Sequence, residues 1–133
     1  MTLDLNKLCK NTLVEHLGIE FTESGDNYLK AKMPVDNRTL QPMGILHGGA
    51  SLALAETVGS AGSYAMVDRE RFNVVGMQIT ANHIGSVSDG HVVAHATLVH
   101  KGTKTHIWDI EISTPDNRKI SICRLTNMLI EKA

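Results

Sequence analysis

The 133-residue chain has few aromatic residues, two cysteines and no run of basic residues. Aromatic residues make up 4% of the sequence, and 13 Lys and Arg are balanced by 14 Asp and Glu. Binding of nucleic acid usually needs a basic patch or exposed rings for base stacking, so this composition disfavours nucleic acid as a partner. Cys9 and Cys123 form no CxxC motif, which argues against a zinc ribbon or a dithiol redox site.

The N-terminus lacks a long apolar run behind a basic start, so we expect no secretory signal and a cytoplasmic protein with reduced thiols. The length and the 42% hydrophobic content predict one globular domain over residues 1–133. A net charge of −1 gives little repulsion between copies, which suits a protein that associates with itself.

Alternation of apolar and polar residues predicts most of the secondary structure. Residues 4–17 carry leucines near helical spacing and predict one short amphipathic helix that ends at Gly18. Segments 18–23 and 28–34 flank a turn cluster and predict a hairpin. Four later segments predict strands of an antiparallel meander: 73–82, 91–100, 105–113 and 118–130. In the last segment, alternation places five residues on one face: Ile120, Ile122, Thr126, Met128 and Ile130.

Between the β segments, residues 39–67 contain one charged residue, Glu56. Residues 48–67 are long enough for about five helical turns and are rich in Ala, Gly and Ser. This length also meets the requirement for a membrane span, but the many small and hydroxyl side chains favour a buried helix. We therefore predict an α+β fold in which an antiparallel sheet of five or six strands wraps around a long central helix.

Glu56 is the first candidate for chemistry. A buried carboxylate costs on the order of several kcal/mol unless it is paired, and no Lys or Arg lies three or four residues away on the helix. The structural alternative is a glutamate that points out through a gap in the sheet or pairs with a distant arginine.

The second candidate is the loop that leads into this helix, from Gln41 to Ser51, with the sequence His47-Gly48-Gly49 at the helix start. A helix start presents unpaired N–H groups that can stabilise an oxyanion, and glycine lets a carbonyl approach them. The alternative is a flexible helix entry that His47 caps. His47 and Glu56 lie nine residues apart, about 13 Å along one helix, so joint action on one carbonyl requires a second copy across a two-fold axis.

The stretch from Met33 to Glu56 resembles the hotdog-fold acyl-CoA thioesterases, and the resemblance continues through residues 74–83, 108–112 and 123–127. It is most similar to the branch that holds the Arthrobacter-type 4-hydroxybenzoyl-CoA thioesterases and the 1,4-dihydroxy-2-naphthoyl-CoA thioesterases of menaquinone synthesis. The resemblance implies a hotdog fold, dimers with a continuous sheet that pair into homotetramers, and a coenzyme A thioester substrate with no further cofactor or metal.

The resemblance also implies roles for individual residues. Glu56 matches the helix carboxylate that acts as nucleophile or general base, and Gly48 matches the backbone N–H that polarises the thioester carbonyl. His47 and Gln41 match loop residues that line the site from the opposite subunit, and Ser60 matches a hydroxyl that holds the water or the carboxylate.

Substrate-binding positions are also implied. His83 matches a pocket position, whereas Met66, Val67 and Met77 are expected in the pocket wall. Lys104, beside Gly102, is the candidate for a phosphate contact with coenzyme A.

The other histidines suggest no site. His91 and His95 lie about 13 Å apart on a strand, too far for one metal ion, and His16, His100 and His106 have no partner by spacing. The alternatives to a hydrolase are a hotdog dehydratase or hydratase, which typically has a different loop motif, and a non-catalytic acyl-CoA-binding protein.

Overall fold

A computed structural model describes residues 3–133, and its first two strands form the predicted hairpin. The chain forms α1 (Leu5–Leu8), α2 (Leu13–His16), β1 (Glu20–Gly25), β2 (Tyr28–Pro34), α3 (Gly48–Met66), β3 (Phe72–His83), β4 (His91–Lys101), β5 (Thr105–Ser113) and β6 (Lys119–Glu131). The β1–β2 turn needs a residue with positive φ, and Asn27 supplies it at 64°.

All six strands form one antiparallel sheet in the order β1-β2-β4-β5-β6-β3. The meander prediction is confirmed for β4, β5 and β6 but is wrong for β3, which pairs with β6 at the far edge. The physical reason is that β4 already pairs with β2 on one side and with β5 on the other, so β3 has no place beside it and pairs with β6 instead.

The prediction of one helix over residues 4–17 is also wrong, because the structure has two single turns. Asn11 adopts a φ of 63° between them, which interrupts the helical hydrogen bonds. Each turn restarts at its own N-cap residue, and the side chain of Asp4 accepts a hydrogen bond from the Lys7 N–H at 3.1 Å. The chain bends at Asn11 and lays Leu5 into the core.

The small residues of α3 allow the helix and the sheet to approach closely, as predicted. A Cβ on Gly59 would lie 2.6 Å from Leu125, and a Cβ on Gly62 would lie 2.6 Å from the Trp108 ring. Both glycines are therefore contact points between helix and sheet. Within residues 3–133, no helix is long and apolar enough to cross a membrane.

In β6, the residues that alternation placed on one face lie on the outer side of the sheet, except for Ile120, which is buried. The residues that face α3 are the alternate set Ser121, Cys123, Leu125 and Asn127, all of which are buried. Ile122, Met128 and Ile130 are 42–46% exposed on the outer face of the sheet. Alternation predicted the period of the strand, but the inner set includes the polar residues Ser121 and Asn127, so hydrophobicity alone did not identify the face that meets α3.

A buried polar cluster joins α3 to β5 and β6. It consists of Ser63, His106, Trp108 and Asn127. The Ser63 Oγ atom accepts hydrogen bonds from Trp108 Nε1 at 2.8 Å and from Asn127 Nδ2 at 2.9 Å. Because both lone pairs are then occupied, the Ser63 hydroxyl donates to His106 Nδ1 at 2.8 Å. The sequence had suggested no partner for His106.

His106 should make the protein less stable in mild acid. Burial lowers the pKa of His106 below its ordinary value of about 6.5, and Lys101 and His100 contribute in the same direction. The unfolded chain therefore binds more protons, so stability falls as the pH drops below about 6.5. We expect the Tm loss between about pH 7.5 and pH 5.5 to be smaller for His106→Gln than for the wild type. Equal losses in both proteins would contradict this assignment.

Candidate active site

Glu56 lies in the third turn of α3 and points away from the core. It is exposed in the single chain, so the expectation of a buried carboxylate is wrong for one copy of the chain. Its carboxylate packs against Gly76 of β3, where a Cβ would lie 2.5 Å from Glu56 Oε2. Within residues 3–133, no Lys, Arg or His forms an ion pair with this carboxylate, which leaves both oxygens available to a ligand.

A cavity of about 520 Å³ opens beside Glu56. Its walls come from the N-terminal turns, from β1, from α3 and from the start of β3, and they are mostly apolar: Leu5, Leu8, Cys9, Leu13, Val14, Phe21, Ala53, Thr57, Ser60, Ala61, Tyr64 and Val74. Among the described residues of this lining, Glu56 is the only charged one. The cavity therefore combines one reactive carboxylate with space for an uncharged, apolar group.

Gly76→Ala should reduce activity without loss of stability. The added Cβ would displace the Glu56 carboxylate, which is the mobile end of a flexible side chain and moves at little cost. Alanine in a strand also restricts the unfolded chain more than glycine does. We expect kcat to fall about tenfold or more, since a misplacement of about 1 Å costs up to about 100-fold, while Tm stays equal or rises. An unchanged kcat would show that the contact with Gly76 does not position Glu56.

The start of α3 provides a donor for an anion. The His47 Nδ1 atom caps the helix by accepting a hydrogen bond from the Gly49 N–H at 2.7 Å, so the imidazole is neutral with its proton on Nε2. In the described part of the chain, the Gly48 N–H has no hydrogen-bond acceptor. The helix start therefore combines a free backbone donor at Gly48 with a side-chain donor at His47.

His83 lies against this helix start, and Gln41 lies in the loop that precedes it. A Cβ on Gly48 would lie 2.8 Å from His83 Nε2, so glycine is needed for the imidazole to approach the helix. His83 Nδ1 is 2.6 Å from Ser121 Oγ, which holds the ring in place. The Gln41 side-chain oxygen accepts a hydrogen bond from the Met43 N–H and so fixes the loop.

The predicted catalytic residues fall into two groups within one chain. Ser60 shares the cavity of Glu56, whereas His47, Gly48 and His83 lie together at the helix start. Nine residues separate His47 from Glu56, which corresponds to about 13 Å and about half a turn around the axis, so the two side chains point to opposite sides of the helix. One chain does not bring these groups onto one carbonyl.

The remaining predicted substrate positions lie away from the cavity of Glu56. Met66 lines a second cavity with Tyr28 and Trp108, and Val67 is the C-cap of α3. Gly102 and Lys104 form the turn between β4 and β5, where Lys104 is exposed. Met77 is 53% exposed on the edge strand β3.

Sequence reasoning missed several residues around Glu56. The N-terminal leucines were assigned to a helix but not to the cavity wall, because only the bend at Asn11 directs them there. Gly76 interrupts the β-branched run of β3, a signal that could have indicated a close contact. Asn127 has a polar side chain on an apolar strand, and such a position indicates a buried hydrogen-bond network.

Residues 43–121 match the family model described as the thioesterase superfamily. The chain belongs to this family. The six-stranded antiparallel sheet around one long helix is the hotdog fold, so both the predicted family and the predicted fold are confirmed. The protein is thus a thioesterase, and a thioester is its substrate class.

The alignments with known relatives extend over nearly the whole chain of this thioesterase. The chain is 47% identical over 131 residues to the proofreading thioesterase EntH of Cronobacter turicensis, with 98% of this chain and 95% of EntH covered. A thioesterase structure from Pseudomonas aeruginosa superposes with a TM-score of 0.95 at 43% identity, covering 99% of this chain and 97% of that one. A thioesterase structure from Haemophilus influenzae gives a TM-score of 0.93 at 43% identity, covering 98% and 93%.

Proposed function

We propose that this thioesterase hydrolyses acyl-CoA or aroyl-CoA thioesters with Glu56 as nucleophile or general base. The observation that carries the proposal is an unpaired carboxylate that opens into a mostly apolar cavity of about 520 Å³. An apolar wall favours aliphatic or aromatic acyl groups over charged ones, because no basic residue described in the lining would pair with a second carboxylate. A 1,4-dihydroxy-2-naphthoyl group, as in menaquinone synthesis, is one candidate of this class.

The chemistry needs a nucleophile and an oxyanion site. The Gly48 N–H, at the positive end of α3, stabilises the charge that develops on the thioester oxygen. Attack forms a C–O bond, the C–S bond breaks, and the coenzyme A thiolate leaves and takes up a proton. His47, with Nε2–H as a donor, and Gln41 complete this side of the site. These groups supply the whole reaction without a metal or cofactor.

A dimer is needed to bring the two halves of the site together. The edge strand β3 contains no proline and no Asp, Glu, Lys or Arg, whereas the opposite edge, β1, carries Glu20 and Glu23. An uncharged edge lacks the usual protection against strand pairing, so β3 is the edge that a second copy would extend. In an antiparallel β3–β3 pair, the His83 end of one strand lies opposite the Phe72 end of the other. The helix start beside His83 is thereby carried toward Glu56 of the other subunit.

We expect at least a dimer, and a homotetramer if two dimers pair through the apolar outer face of β3 and β6. This face exposes Val75, Met77, Met128 and Ile130, each 42–53% accessible in the single chain. Light scattering of active enzyme at assay concentration measures the mass directly. An active monomer would contradict the composite site.

A panel of coenzyme A thioesters tests the activity itself. Free-thiol release should be seen with benzoyl-, naphthoyl- and hexanoyl-CoA and should be much slower with succinyl-CoA, whose acyl group carries a charge. Binding without thiol release would instead identify an acyl-CoA-binding protein. The Lys104→Ala variant, assayed with coenzyme A and dephospho-coenzyme A thioesters, tests the proposed phosphate contact beside Gly102.

A further inference from the structure

The buried polar cluster extends as far as the Ser60 hydroxyl in the cavity of Glu56. Asn127, which is fully buried on β6, donates from Nδ2 to the Gly59 carbonyl at 3.1 Å and to Ser63 Oγ at 2.9 Å. A carbonyl oxygen only accepts hydrogen bonds, so the amide nitrogen must face Gly59. The amide oxygen of Asn127 therefore faces Ser60, whose Oγ lies 3.4 Å away.

This orientation fixes the direction of the Ser60 hydrogen. The Asn127 Oδ1 atom carries no hydrogen, so Ser60 is the donor in the contact between them. A serine hydroxyl has a single hydrogen and two lone pairs. With its hydrogen directed at Asn127, Ser60 presents only acceptor capacity to the cavity and does not donate to the Glu56 carboxylate.

We propose that Asn127 is a positioning residue that makes Ser60 the acceptor for the hydrolytic water beside Glu56. The inference rests on the proposed function of Glu56. Ser60 lies four residues beyond Glu56, a spacing that places two side chains next to each other on a helix. A water between them donates one hydrogen to the Glu56 carboxylate and the other to Ser60 Oγ. A lone pair of the water oxygen is then free to attack the thioester carbon.

In this arrangement Glu56 acts as the general base. The water oxygen forms the C–O bond while its proton passes to the Glu56 carboxylate. The tetrahedral intermediate then expels the coenzyme A thiolate as the C–S bond breaks, and Glu56 returns the proton to that sulfur. Ser60 keeps its own hydrogen bond to Asn127 throughout, so it positions the water without gaining or losing a proton.

A double-mutant cycle between Ser60 and Asn127 tests this role. Ser60→Ala and Asn127→Ala should each lower kcat about tenfold, the effect of one lost hydrogen bond, with KM unchanged within about twofold because the water does not bind the substrate. The double variant should be no slower than Ser60→Ala alone, since Asn127 acts through Ser60. If Asn127→Ala does not fold, Asn127→Ser replaces it in the cycle, because its shorter side chain also loses the reach to Ser60.

Ser63→Ala is the matched structural control. It removes the acceptor of Trp108 and Asn127 from the same cluster but leaves Asn127 bonded to the Gly59 carbonyl. We expect a lower Tm with kcat within about twofold of wild type, whereas Asn127→Ala loses activity as well. A kcat as low in Ser63→Ala as in Asn127→Ala would show that activity is lost through damage to the cluster as a whole and not through the contact between Asn127 and Ser60.

The positioning role is overturned if Asn127→Ala keeps the wild-type kcat. It is also overturned if Asn127→Ala lowers kcat by the same factor in the wild type and in the Ser60→Ala variant. The proposed function fails separately. If Glu56→Gln stays active, the assignment of Glu56 as the catalytic residue is wrong. If Glu56→Gln is inactive while Asn127→Ala keeps full kcat, the site stands and only the role of Asn127 is lost.

Discussion

Glu56→Gln should lower kcat by at least about 100-fold and by up to about 10,000-fold, the range over which a general base contributes. Glutamine keeps the size and polarity of the side chain but removes the negative charge that accepts a proton or attacks the carbonyl. The packing against Gly76 and the exposure of Glu56 leave room for the amide, so Tm should be nearly unchanged. The measurement is steady-state thiol release together with a melting curve.

Glu70→Gln is the control for this variant. Glu70 is an exposed carboxylate outside the cavity, so its removal changes the net charge equally without touching the site. Wild-type kcat is expected for it. If Glu56→Gln keeps more than a tenth of the wild-type kcat, Glu56 is neither the nucleophile nor the base, and the reactive group lies elsewhere.

The fold was largely predictable because its strongest signals are local. Alternation identified the six strand segments, and a stretch with one charge identified α3. The errors arose where a tertiary choice decides between equal local options. The edge position of β3 depends on how the chain crosses the sheet after α3, and the inner face of β6 depends on which apolar set meets the helix. Neither choice changes the local pattern.

The candidate site was predictable in its residue types but not in its surroundings. Glu56 stood out because a charge in an apolar segment is costly, and the glycines before it indicated an open helix start. The cavity wall depends on the bend at Asn11, and the orientation of Ser60 depends on Asn127, which is 67 residues away in sequence. Contacts between residues so far apart in the sequence produce no recognisable pattern of residue spacing.

Two inactive variants should restore activity to each other when mixed. His47 and Glu56 lie on opposite sides of α3, about 13 Å apart along the axis, so each site needs His47 from one subunit and Glu56 from the other. We expect His47→Ala and Glu56→Ala, unfolded together and refolded at equal amounts, to regain about a quarter of wild-type activity. Random pairing makes about half of the dimers mixed, and two-fold geometry puts both lesions in one site of each mixed dimer and none in the other.

The control mixture is Glu56→Ala with Glu56→Gln. Every site in this mixture has a damaged helix carboxylate whichever subunit supplies it, so no activity should return even though subunits exchange equally well. The experiment requires His47→Ala alone to be clearly impaired, because the free Gly48 N–H still polarises the carbonyl in its absence. Mass spectrometry of the mixture measures the exchange. If mixed dimers form and the His47→Ala and Glu56→Ala mixture stays as inactive as the control, each site lies within one subunit, and α3 does not contribute to two sites.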